Sequence, residues 1–209
     1  MTQQVYVWDR FVRVFHWSLV LLFVTSYLSG EEEHWIHVYS GYTIIALVVM
    51  RVIWGFVGSR YARFANFAYS PRTVLSYIRS MVAGDPRRFL GHNPAAGAMV
   101  LALLAALSLT TLSGLKLYAV EEGKGPLAVD MRFEVVAQAH ANGDREEHDE
   151  EEDDEEAEEF WEDLHETGVN ALLLLIVLHI SGVAVSSRLH RESLVKAMIT
   201  GEKDELIQS

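Results

Sequence analysis

Residues 165–182, HETGVNALLLLIVLHISG, are almost continuous hydrocarbon interrupted by two histidines fourteen positions apart. On a helix, a rise of ~1.5 Å per residue separates His165 from His179 by roughly 21 Å. Fourteen steps of ~100° bring the two within about 40° of one direction. A lone His in an apolar stretch is usually a packed core or interface residue. Two on one face, each with a glycine three residues later (Gly168, Gly182), turn the question to what faces them.

The surrounding composition says where such a helix sits. Half of the 209 residues are hydrophobic, yet the net charge is −12. Residues 144–163, DREEHDEEEDDEEAEEFWED, hold 15 acidic residues against one Arg, a charge of −14, so the rest of the chain carries +2. Runs such as VFHWSLVLLFVTSYLSG (14–30) and GAMVLALLAALSLTTLSGLKLY (97–118) are near or above the length that crosses roughly 30 Å of hydrocarbon. The expected fold class is all-α, an integral membrane four-helix bundle with spans near 11–29, 37–57, 95–118 and 165–187. There is no Cys, which excludes thiolate-held iron–sulfur clusters, covalent c-type haem and disulfides. The N-terminus does not read as a cleaved signal peptide, because Asp9, Arg10, Arg13 and His16 interrupt its approach and no small-residue cleavage site follows.

Lys and Arg cluster before the first span (Arg10, Arg13), between the second and third (Arg60, Arg63, Arg72, Arg79, Arg87, Arg88) and after the fourth (Arg188, Arg191, Lys196, Lys203). The connection EEEHWI (31–36) has no basic residue. The asymmetry puts both termini in the cytoplasm and the acidic 119–164 loop in the periplasm, with 188–209 a cytoplasmic tail. Residues 70–84 predict a short amphipathic helix, with Ser70 as cap, Pro71 in the first turn and Gly84 at the end. It is expected either on the cytoplasmic membrane surface or packed on the ends of the bundle. Trp8, Trp17, Trp35, Trp54 and Trp161 fall where interfacial anchors belong. No long repeat, Rossmann or phosphate-loop glycine pattern is present, and no nucleic-acid partner is expected.

By depth the membrane histidines sort into two pairs. His16 and His179 lie toward the cytoplasm, and His37 and His165 toward the outside. Coordinating side chains at membrane depth are costly and mark function by default. Paired imidazoles with no other polar ligand suit the two axial positions of a haem iron. Gly41, Gly168 and Gly182, with Gly97 and Gly114 on the third span, leave room for a flat macrocycle, although glycine is common in membrane helices. Arg51 either neutralises a haem propionate or snorkels to the headgroups. Zinc or copper is the rival for paired His, but wants a third ligand that is not evident.

Several ordered stretches, DRFVRVFHW, HVYSGY, RVIWGFVGSRYARF, GHNPAAGAMV and HETGVNALLLLIVLHISG, together resemble the bacterial b561-type cytochromes, and more closely the cytochrome b subunits of nickel–iron hydrogenases. The resemblance covers nearly all the chain except the acidic tract and the tail. It implies two b haems held by His16, His37, His165 and His179, and electron exchange between quinone/quinol and a periplasmic redox partner. Hydrogenase subunits often carry an additional helix, so four spans lean toward a stand-alone member or one serving a cytochrome c.

A quinone site on the cytoplasmic side is expected at His92 and Asn93, with Arg13 or Asp9 nearby. His92 would bond a carbonyl or relay a proton, because its ordinary pKa lies near neutrality. The competing reading of His92-Asn93-Pro94 is a helix start, with Asn93 as cap. The acidic tract is either a solvated charge run, a docking surface for a basic cytochrome c, or a metal site with His140 and His148. The alternatives to an electron carrier are a metal-ion transporter and a cofactor-free anchor of a redox complex. The first would want carboxylates in the interiors of its spans, where none occur, and the second leaves four depth-matched histidines unexplained.

Overall fold

In the computed structural model the described residues are 3–30, 34–128 and 147–205. Among these residues, four helices are long and apolar enough to cross a membrane. Helix α1 (Arg10–Ser29) starts where Asp9 accepts a hydrogen bond from the Val12 amide at 2.8 Å, satisfying one of the donors a helix start leaves open. Helix α2 (His34–Val57) returns beside it after a short connection. Helix α3 (Pro71–Val82) is capped by Ser70 and followed by Gly84 at φ +79°. Helix α4 (Pro94–Glu122) begins where Asn93 accepts from the Ala96 amide at 2.8 Å. Helix α5 runs from Glu147 to His190, and α6 is the short Leu194–Thr200.

Two departures from the sequence reading stand out. The fourth membrane helix starts not at 165 but at Glu147, so the later part of the acidic tract is helical. Glutamate is a good helix former, and acidic residues near an N-terminus complement the helix dipole. A helix of 44 residues is roughly 66 Å long, about twice the hydrocarbon thickness, so it extends well beyond the bilayer. The second departure is a two-stranded antiparallel sheet, the only sheet among the described residues. Strand β1 (Gln3–Tyr6) pairs with β2 (Glu202–Glu205), Val5 opposite Lys203.

The chain forms two compact units, Met1–Ala105 with Leu173–Ser209, and Ala106–Leu172. In the first, the sheet and α6 fold against the start of α1. Val7, Trp8 and Ala197 are buried together, and the Val7 and Trp8 amides both donate to the Gly201 carbonyl. Gly201 sits at φ +89°, and a Cβ there would lie 2.7 Å from the Trp8 carbonyl oxygen, so only glycine suits the turn. Arg13 donates to the Ile199 carbonyl and to the Tyr6 hydroxyl. Buried Lys203 and half-buried Arg88 both bond the Glu192 carboxylate, at 3.0 and 2.8 Å. In the second unit, Leu107, Thr110, Ser113 and Leu172 are buried along α4 and α5. Leu21, Leu28, Phe56, Leu174 and Ile180 on the membrane helices face outward, as lipid-facing side chains do.

Candidate functional site

His16 and His179 come together. They lie on α1 and α5 within the first unit, with ring centroids 6.5 Å apart and planes tilted by 54°. Two imidazoles bonded at ~2.0 Å to opposite sides of one metal ion have centroids roughly 6.3 Å apart, so the spacing fits an iron between them. His16 Nδ1 is buried without a hydrogen-bond partner among the described residues. Gly182, one turn beyond His179, has nothing within 4 Å of where a Cβ would be, which leaves space for a flat ring.

His37 and His165, each in its own unit, share one local arrangement. The His37 Nδ1–H donates to the Ser26 carbonyl at 2.9 Å, and the His165 Nδ1–H donates to the Thr110 carbonyl at 2.9 Å. A carbonyl only accepts, so Nδ1 carries the proton and Nε2 carries the lone pair that a metal requires. Gly41, one turn after His37, again has nothing within 4 Å. Gly114 differs from expectation: a Cβ there would stand 2.8 Å from Cε1 of His165, so this glycine admits the imidazole itself. Gly168 is packed against Thr110, and Gly97 against the Phe67 backbone. The carbonyls of Ser26 and Thr110 were missed from sequence. Their only signal is small polar residues inside apolar spans.

Arg51 is buried, 3 % exposed, in α2. One guanidinium nitrogen donates to the Ala62 carbonyl at 3.2 Å, the group lies 5.3 Å from the Phe64 ring, and Nη1 is buried without a partner among the described residues. A buried guanidinium nitrogen left open suits an anionic oxygen such as a propionate.

The three residues expected at a quinone have different settings. Asn93 is the α4 cap, and Arg13 ties α1 to the C-terminal segment. His92 lies between Trp8 and Phe67, centroids 4.6 and 4.5 Å away, with Nδ1 buried and unpartnered among the described residues. Burial first, then the positive charges of Arg51 and Lys203, push His92 down to about 3. It is therefore neutral at physiological pH and suited to hydrogen bonding, not to relaying protons. Asp9 takes hydrogen bonds from Ser59, the Val12 amide and Trp54. Burial pushes its carboxyl up, but these bonds outweigh that and hold it below the ordinary range. Among the described residues no three His, Asp or Glu side chains gather as a metal site. His140 and the side chain of His148 lie outside the described residues.

With this geometry in place, comparison with known proteins decides the family. The pattern of prokaryotic cytochrome b561 matches residues 7–201. The chain belongs to the prokaryotic cytochrome b561 family. This cytochrome is 25 % identical to the probable Ni/Fe-hydrogenase B-type cytochrome subunit of Bradyrhizobium diazoefficiens, over 95 % of this chain and 85 % of the relative. It is 26 % identical to the protein of the same name from Rhodobacter capsulatus, over 98 % and 84 %. It is 28 % identical to the probable Ni/Fe-hydrogenase 1 B-type cytochrome subunit of Escherichia coli strain K12, over 54 % and 60 %. No solved structure gives a significant match. Family and spans together make it a multi-pass protein of the cytoplasmic membrane, a b-type cytochrome of electron transport.

Proposed function

We propose that the chain is a di-haem cytochrome b that moves electrons across the cytoplasmic membrane between quinone or quinol and a periplasmic partner. One observation carries this reading: the 6.5 Å spacing of His16 and His179, the separation two imidazoles adopt across one iron. Bound b haem supplies one-electron exchange at its iron. His16 and His179 would hold one iron. His37 and His165 would serve as ligands of the second, the ring orientation of each set within its own unit by the Ser26 and Thr110 carbonyls. Arg51 offers Nη1 to a propionate.

His165 and His179 are fourteen residues apart on α5, roughly 21 Å by helical rise, so groups held by them would lie at different depths in the bilayer. Quinone chemistry exchanges two electrons and two protons, and we assign it to the side of His16 and His179, near His92. Moving one electron across the full membrane is worth ~2.3 kcal/mol per 100 mV, which makes the side of that site energetically consequential.

The relatives' names support a nickel–iron hydrogenase as partner. A cytochrome c is the second reading, favoured by the acidic extension of α5, which would steer a basic protein toward it. The test is the reduced-minus-oxidised absorption spectrum of purified protein with haem counted per chain. Two b haems, falling to one in His16→Ala and in His37→Ala, support the reading. No haem in folded protein expressed with haem supplied sinks it.

A further inference from the structure

The segment between α2 and α4 holds a pocket of about 320 Å³ whose wall includes Arg60, Asn66, Tyr69, Arg87, Arg88 and His92. No carboxylate lines it. Arg88 has Glu192 as counter-ion, but among the described residues Arg60 and Arg87 have no acidic partner and lie against Tyr61 and Phe89. Arg88 Nε is buried and lacks a hydrogen-bond partner among the described residues. Two guanidiniums without acidic partners beside one concavity suit an anion, and an orphaned buried donor signals a missing acceptor. A neutral quinone would meet the second need and not the first.

The neighbouring helix indicates the anion's source. Tyr69 of the pocket directly precedes the α3 cap, and Tyr77 packs on pocket residue Phe89 at 5.6 Å. Tyr77 is the buried side of α3, while Leu75, Ile78 and Val82, the last 85 % exposed, form a stripe turned away from the protein. Arg72 and Arg79 flank that stripe at helical spacing. An apolar stripe bordered by arginines lies in a bilayer interface with its apolar side among the acyl chains. That sets the pocket at headgroup level, where the abundant anion is a phosphodiester and each nearby Lys or Arg contributes about 1 kcal/mol of attraction.

We propose that this pocket binds the headgroup phosphate of an anionic phospholipid, with Arg60 and Arg87 as its principal contacts and α3 holding the acyl chains. The site depends on the membrane location of the chain and not on which residues ligate haem.

The full-length protein is reconstituted in nanodiscs of dioleoylphosphatidylcholine with 10 % dioleoylphosphatidylglycerol, extracted into mild detergent, and its retained lipid identified by native mass spectrometry. About one phosphatidylglycerol per chain is expected to survive. Arg60→Gln with Arg87→Gln should lower its retention at least tenfold, and Arg60→Lys with Arg87→Lys should keep most of it. Haem counted on the same samples stays unchanged in both, so loss of the lipid site is separable from failure of the electron-carrier reading. Equal retention of phosphatidylcholine, or undiminished phosphatidylglycerol in the Gln pair, overturns the proposal. So does displacement of the lipid by 10 mM inorganic phosphate, which would mark a site for free anions. If the Gln pair does not fold, the wild-type lipid preference and the phosphate competition decide.

Discussion

Glu192 accepts hydrogen bonds from Lys203 at 3.0 Å and from Arg88 at 2.8 Å, and the Lys203 side chain is only 4 % exposed. A buried cation so placed depends on its carboxylate. Glu192→Ala should destabilise the protein by about 3 kcal/mol, because it leaves Lys203 buried without its partner. The double variant Glu192→Ala with Lys203→Met should recover much of that, and thermal unfolding in detergent measures both. Recovery of nothing would show that the carboxylate matters for Arg88 instead.

The same carboxylate gives a pH dependence. Burial raises Glu192, but the bond from Arg88 and the charge and bond of Lys203 outweigh it and hold the pKa below its ordinary 4.5. A lowered folded-state value means stabilisation that is fully present above 4.5 and is lost as pH falls through the folded value. The unfolding midpoint should therefore decline below pH 4.5 more steeply in the wild type than in Glu192→Gln. Parallel curves would remove Glu192 from the explanation.

His16→Gly or His179→Gly should cost one haem of two and leave space for a small ligand where the ring was. Added imidazole at 10 mM should restore the low-spin b spectrum at that site. A variant that keeps both haems without imidazole would remove that histidine from the ligand set.

Gly114→Val should disturb the haem assigned to His165. The first added carbon would already stand 2.8 Å from the ring, and forcing bulk into a packed site costs about 1–3 kcal/mol. The expected result is at least a halving of the haem assigned to His37 and His165, with the other retained. Gly41→Ala, where nothing lies within 4 Å in the protein alone, separates the cases. A fall in haem without a fall in apoprotein stability would show that the ring occupies that space.

Much of this was legible in the sequence. The four spans follow from runs of apolar residues long enough to cross hydrocarbon, and His16 could be matched with His179 because depth along a helix is a matter of counting. The Ser70 and Asn93 caps follow from local chemistry, since each serves an amide three residues away. The β1–β2 sheet did not, because Gln3–Tyr6 and Glu202–Glu205 carry no strand-like apolar alternation and meet only through tertiary structure. The carbonyls beneath His37 and His165 were invisible for a similar reason: every residue has one, and only packing chooses which is used. In sequence the acidic start of α5 shows only as a run of charge, whereas glutamate's helix preference and its continuity with an apolar helix make it helical.

The sheet also sets a schedule for the chain's maturation. Its two strands lie about 200 residues apart, so their pairing closes a long loop. The four described membrane helices have all been made before Glu202 leaves the ribosome, so β1 must wait, unpaired, until then. Pairing puts β1 and β2 on the same side of the bilayer, which an even number of crossings between them permits and an odd number would forbid. A chain that lost or gained one span during insertion could not pair them.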